Sequence, residues 1–165
     1  MVNLINNKKL GVRIMEITKE FKGLIDEGYR YKIEGNLISI ESLIINLDKP
    51  LHVSGHIKAD GSIEAGWSIK AGGSIEAGEH IKAGDGYGIS AGLKITSKTT
   101  ITCNLKLFAG IYTWGNIADE DKTITCTELL GGGIVEYGIL NLIEKEEKKE
   151  PRTIVVDGVT YVEKI

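Results

Sequence analysis

Through the middle of the chain an aliphatic residue returns every six positions. Isoleucine stands at Ile57, Ile63, Ile69, Ile75 and Ile81, and alanine follows two places later at Ala59, Ala65, Ala71, Ala77 and Ala83. Glycine comes next at Gly66, Gly72, Gly78 and Gly84, with Asp60 in that place in the first copy. In an extended segment residues i and i+2 share a face. Each Ile–Ala pair therefore points inward, and the residue between them points to water. Glycine is expected to supply a corner, with backbone at positive φ. The unit Ile-x-Ala-Gly-x-(Ser/His) cannot bury an apolar face alone, so its copies must stack into a solenoid.

The frame extends beyond the perfect copies. Upstream it takes in Ile45/Leu47 and Leu51/Val53. Downstream it resumes after the insertion Gly84-Asp85-Gly86-Tyr87-Gly88, at Ile89/Ala91, Ile95/Ser97, Ile101/Cys103 and Leu107/Ala109. Eleven short strands are predicted.

Charge decides how many units close a coil. The outward residues read Lys58, Glu64, Lys70, Glu76, Lys82. Two units per coil would stack Lys58 on Lys70 and Glu64 on Glu76. Three units set Lys58 beside Glu76 and Glu64 beside Lys82. Neighbouring rungs lie about 4.8 Å apart, where opposite charges stabilise and like charges destabilise. The alternation thus favours three faces, with 18 residues per coil. The eleven units then make nearly four coils.

The flanks break the hexad. Ile14, Ile17, Phe21, Leu24 and Ile25 fall at helical spacing, and Gly28 follows as a stop; this predicts an amphipathic helix capping one end. Tyr29, Tyr31, Ile33, Ile38 and Ile40 alternate as a strand would. From Phe108 onward, Thr123 to Thr127 and Gly133 to Ile143 predict further strands, and Glu144 to Glu150 a solvated turn or loop. Residues Thr153 to Val162 alternate around Asp157-Gly158, the signature of a tight hairpin. The expected fold is mainly β: a short three-sided parallel β-helix over 43–110, a helix-and-strand cap over 1–42, and a C-terminal β extension over 111–165 that caps the other end or mediates association.

Composition narrows the class. Twenty-one glycines beside two prolines exclude collagen, and 42% hydrophobic residues are too many for a disordered chain. A net charge of −3 argues against nucleic acid as a partner. No segment reaches the roughly 18 apolar residues of a membrane span, and Met1 to Leu10 has no following apolar run, so no signal peptide is expected. Cys103 and Cys126 are expected to be reduced core residues of a cytoplasmic protein.

Over Ile57 to Gly84 the repeat resembles three groups of parallel β-helix proteins. Hexapeptide acyltransferases place a small residue four positions after the aliphatic one, whereas here it lies at i+2. Bactofilins are bare β-helices that polymerise, with smaller flanks than these. Small proteins of phages and mobile elements of Gram-positive bacteria carry tandem Ile-(Lys/Glu)-Ala-Gly runs. A Phe-Ala-Gly-x-x-x-Trp segment then follows, here Phe108-Ala109-Gly110-Ile111-Tyr112-Thr113-Trp114. The resemblance to this third group covers roughly residues 50 to 140. It implies a counter-defence protein of the anti-CRISPR class that blocks a host protein such as a defence nuclease complex.

The residues themselves offer little chemistry. The histidines are His52, His56 and His80. A catalytic base of the acyltransferase kind would be His56 or His80, yet both occupy the place before the core isoleucine where Ser62, Ser68 and Ser74 otherwise sit. No metal-ligand spacing and no calcium-roll period is present, and no cofactor is expected. Gly84-x-Gly86-x-Gly88 does not lead a strand into a helix, as a phosphate loop requires.

The aromatics are more informative. Trp67 occupies a corner otherwise filled by Gly61, Gly73, Glu79 or Asp85, and Tyr87 tips the insertion. The three-sided register sets Trp67 near Asp85, hence near Tyr87. An exposed Trp–Tyr pair with acidic corner residues Glu79 and Asp85 would form a protein-binding hot spot; alternatively Trp67 packs beneath a terminal segment. Tyr112 and Trp114 are expected to pack the C-terminal cap. The sequence thus predicts a non-catalytic protein-binding module, with a self-associating scaffold or an acyltransferase-like enzyme as alternatives.

Overall fold

Each Ile–Ala pair turns its two side chains to the same side, and burying them requires the next coil to lie directly above. The computed structural model describes residues 14–84, 87–112 and 115–145, together with the strand pairing of 153–156 and 159–162. Its backbone winds as a parallel β-solenoid of about five turns, in which every third strand joins the same sheet.

The first face stacks Ile14–Ile17, Ser42–Ile45, Ile63–Ala65, Ile81–Lys82, Thr100–Thr102 and Glu128–Leu130. The second stacks Leu37–Ser39, Ile57–Ala59, Ile75–Ala77, Ile95–Ser97, Thr123–Cys126 and Ile139–Leu142. The third stacks Tyr31–Ile33, Leu51–Val53, Ile69–Ala71, Ile89–Ala91, Lys106–Ala109 and Ile134–Tyr137. The two-residue strand Ile25–Asp26 runs antiparallel along the outer edge of Tyr31–Ile33.

The register carries the coil length. Ile57 pairs with Ile75 and Ile63 with Ile81, eighteen positions on. Lys58 therefore stands beside Glu76, and Glu64 beside Lys82, as the charge alternation requires. Where the 84–88 segment intervenes the coil widens, so that Ile69 meets Ile89. The inward isoleucines form columns along the axis and are fully buried, with alanines beside them. Ser97 takes an alanine place and is equally buried; its hydroxyl donates to the Glu79 and Thr100 carbonyls.

Several expectations change. No helix forms over Ile14 to Ile25: Ile14–Ile17 is a strand paired with Ser42–Ile45, and Ile25–Asp26 is another. The β-branched Ile14, Ile17 and Thr18 suit a strand, Gly23 adopts φ +97°, and strand pairing satisfies the otherwise open edge of Ser42–Ile45. The spacing that suggested a helix reflects Ile17, Phe21 and Leu24 all packing on the core from a strand and its following turns. Further on, the inward pair is Leu37/Ser39, leaving Ile38 and Ile40 59% and 79% exposed. Likewise Leu43/Ile45 form the strand pair, and Leu47 is buried from the loop that follows. Downstream, Ile124/Cys126, Leu129, Val135 and Leu140/Leu142 continue the inward columns after the segment 111–122 shifts the phase. The rungs therefore run from Ile14 to Leu142, six to a face, and stand roughly 24 Å tall at 4.8 Å each. Thr153–Val156 and Val159–Val162 pair as the expected hairpin.

The corner glycines also differ from expectation. None of Gly66, Gly72, Gly78 and Gly84 has positive φ. Their need is steric: a methyl on Gly72 would overlap the Ser54 carbonyl oxygen, and one on Gly78 the Asp60 carbonyl oxygen. Each amide donates to the rung below, Gly72 to Val53 O and Gly78 to Ala59 O, so the two chain segments cannot separate without losing those bonds. Gly66 faces open space. Gly78→Ala should accordingly lower stability by about 1–3 kcal/mol, as overpacking does, whereas Gly66→Ala should stay within about 0.5 kcal/mol of the parent. Urea unfolding of both variants checks this, and equal midpoints would refute the close-approach explanation.

Candidate protein-binding face

The corner between the first and third faces carries the aromatic residues. Trp67 precedes Ser68 and the strand Ile69–Ala71, and Tyr87 holds the same place one coil later, two before Ile89. Stacked rungs thus superpose them. Their ring centroids lie 4.6 Å apart with the planes tilted by 36°, a separation at which aromatic pairs attract. Both are half-buried, so the pair is neither sealed in the core nor free in solvent.

Glu79, also predicted for this site, does not join them. Glu79 is exposed at the corner between the second and first faces, where one carboxylate oxygen accepts from the Ser62 hydroxyl at 2.7 Å. Asp85 and Trp114 lie outside the described residues. Tyr112 is exposed.

The two histidines weighed as bases are held by the fold. His56 Nδ1 accepts from the Ser74 amide at 3.0 Å, linking adjacent rungs. His80 Nδ1 lies 3.0 Å from Ser62 Oγ, and His80 Nε2 lies 3.2 Å from Glu64 Oε1. A serine, a histidine and a carboxylate in line have the composition of a nucleophilic triad. Ser62, however, is only 4% exposed and its hydroxyl is already engaged by Glu79. The arrangement ties the corner residues Ser62 and His80 to the outward strand residue Glu64. Cys103 and Cys126 are free and buried, and burial raises both thiol pKa values. Among the described residues no group of three or more His, Cys, Asp and Glu side chains could hold a metal ion, and no helix is long and apolar enough to cross a membrane.

The third face differs from the other two, a difference that considering only His56 and His80 missed. Its outward column runs Lys32, His52, Lys70, Ser90, Phe108. The first and second faces set a carboxylate next to a lysine on this column; the third has none across these five rungs. The signal lay in the register, because Lys70 has His52 below it and Ser90 above. His52 Nδ1 is buried and has no hydrogen-bond partner. Burial lowers the His52 pKa first, with Arg30, Lys70 and Lys32 adding to it and Glu27 opposing. Beside Lys70 a groove of about 390 Å³ opens, lined by Ser68, Lys70, Ser90, Leu105, Lys106 and Phe108. Trp67 and Tyr87 each lie next in sequence to a residue of that lining.

Comparison of the chain with protein-family models, with curated proteins and with solved structures finds no match.

The lowered His52 pKa has a defined consequence. The unfolded chain binds a proton at His52 near pH 6.5 while the folded chain still resists it, so this contribution is complete above about pH 6.5 and is lost as pH falls from there through the folded value. His52→Gln should therefore lose less stability than the parent between pH 7.5 and 5.5. Urea midpoints at the two pH values measure the difference, and parallel losses would contradict the assignment.

Proposed function

We propose that this protein is a non-catalytic binding module, a rigid β-solenoid that presents its third face and the adjoining corner to a partner protein. The observation that carries the reading is the half-exposed Trp67–Tyr87 pair standing beside an apolar groove. Interface energy concentrates in such aromatic anchors, and strands fixed by ladder pairing present them with little entropy left to lose. The resemblance to small phage and mobile-element proteins suggests the partner: a host protein such as a CRISPR–Cas nuclease complex, obstructed within the host cytoplasm.

Self-association as a scaffold is the second reading, and a different observation favours it. Leu140 and Leu142 point inward in register with Ile124 and Cys126, yet they are 41% and 59% exposed because no described rung stacks above them. At the other end Ile25–Asp26 covers a strand edge, and Phe21 and Leu24 pack on the core. A covered end gives the open one no edge to stack on, which disfavours head-to-tail filaments and leaves a closed pair through the C-terminal coils as the form self-association would take.

In a pull-down from host lysate, Trp67→Ala combined with Tyr87→Ala should remove the captured partner, a loss of at least about 2 kcal/mol if the pair is a hot spot, with unchanged circular dichroism. Capture that survives the double substitution refutes the site. Light scattering of the purified protein, with Leu142→Glu as comparison, tests association. Filaments would overturn the binding-module reading, and a dimer dispersed by Leu142→Glu would support the closed pair.

A further inference from the structure

From the third face we infer that the partner presents an acidic, extended polypeptide segment, its carboxylates on the His52–Lys70 column and an apolar or aromatic side chain in the neighbouring groove. This rests on the protein-binding reading and specifies the chemistry of what is bound.

The argument starts from an exception. On the first face Glu64 stands beside Lys82, and on the second Lys58 stands beside Glu76, so each lysine there has its counter-charge one rung away. On the third face Lys32, His52 and Lys70 follow one another, with no carboxylate at any of the three places. The two carboxylates acting on His52 are already engaged: Glu27 pairs with Arg30, and Glu34 with Lys32. Lys70 is exposed and makes no hydrogen bond or ion pair among the described residues. His52 Nδ1, buried and unpartnered, lies between them in the column. A departure from an otherwise consistent charge rule, with an orphaned polar atom at its centre, marks a place shaped for a ligand. The missing element is negative charge.

Just beyond Lys70 the surface changes character. Leu105 and Phe108 line the groove, and its second lysine, Lys106, is held by Glu136 at 3.0 Å. A uniform polyanion such as single-stranded nucleic acid would find one free lysine and then an apolar groove, on a chain of net charge −3. A peptide with carboxylates at one end of its contact and an aromatic residue at the other matches both halves. Protonation of His52 on binding would add a second cation beside Lys70, so the ligand and the proton should bind cooperatively.

The probe is a glutamate–tyrosine copolymer, compared with polyglutamate and with oligothymidylate, with binding to the full chain read from tryptophan fluorescence and from the NMR titration of His52. The copolymer should bind tightest and raise the His52 pKa. Lys70→Gln should weaken it about tenfold, while Lys58→Gln, on the second face, should change it less than about twofold. Absence of copolymer binding, tighter binding of oligothymidylate, equal effects of the two lysine variants, or an unmoved His52 titration would each overturn the inference. The host partner separates the two levels: if Lys70→Gln retains it but the Trp67/Tyr87 double variant loses it, the protein-binding reading stands and the acidic segment is wrong. If both variants retain it, both fail.

Discussion

Parallel pairing between one coil and the next is the constraint on which everything else in this protein depends. Because rungs recur at about 4.8 Å, each residue is read against the one a coil earlier rather than against its chain neighbours. Isoleucine stacks on isoleucine inside, Lys58 meets Glu76 outside, and at the corners the carbonyl of Ser54 or Asp60 comes so close that only glycine fits above it. A side chain acceptable in an isolated strand can therefore be excluded by its place in the stack. The same constraint superposes Trp67 and Tyr87, which are twenty positions apart in the chain.

The stack also explains why the three faces are not equivalent. Two of them set a carboxylate and a lysine on adjacent rungs, Lys58 beside Glu76 and Glu64 beside Lys82, an arrangement that stabilises a sheet face. The third leaves Lys70 unpaired and His52 unsatisfied, and the aromatic corner and apolar groove adjoin that same face. That difference between the faces is what the proposed binding reading rests on. The His80–Ser62–Glu64 cluster illustrates the opposite case: suggestive residue types in which the serine is buried and the side chains bond to one another across adjacent rungs.

Legibility of the fold followed the regularity of the repeat. Ile57 to Ala83 announced strand length, face direction and coil size, since identical units leave few alternatives and the charge order separates two from three faces. At Ile14 to Ile25 the same apolar residues satisfied a helical spacing, and only pairing with Ser42–Ile45 selected the strand. At Leu37 to Ile40 four residues, three of them aliphatic, allowed either phase, and the neighbouring rung Ile57–Ala59 chose Leu37 and Ser39 for the interior. The C-terminal rungs were hidden by the segment 111–122, which breaks the period without breaking the stack. Within the candidate site, the Trp67–Tyr87 contact was readable from the register, and the same register places Glu79 above Gly61 at a different corner, so its grouping with the aromatic pair did not follow from the repeat.

The sequence by itself determined the repeating unit, the inward and outward residues of its regular copies, and a three-sided coil, because those properties depend on local alternation and on charges at a fixed interval. Tertiary structure alone decided where the solenoid begins and ends, why its corner glycines are required, and which face lacks its counter-charges. Those outcomes depend on contacts between residues a coil apart where the period is interrupted, and no local pattern encodes which partner the stacking will deliver.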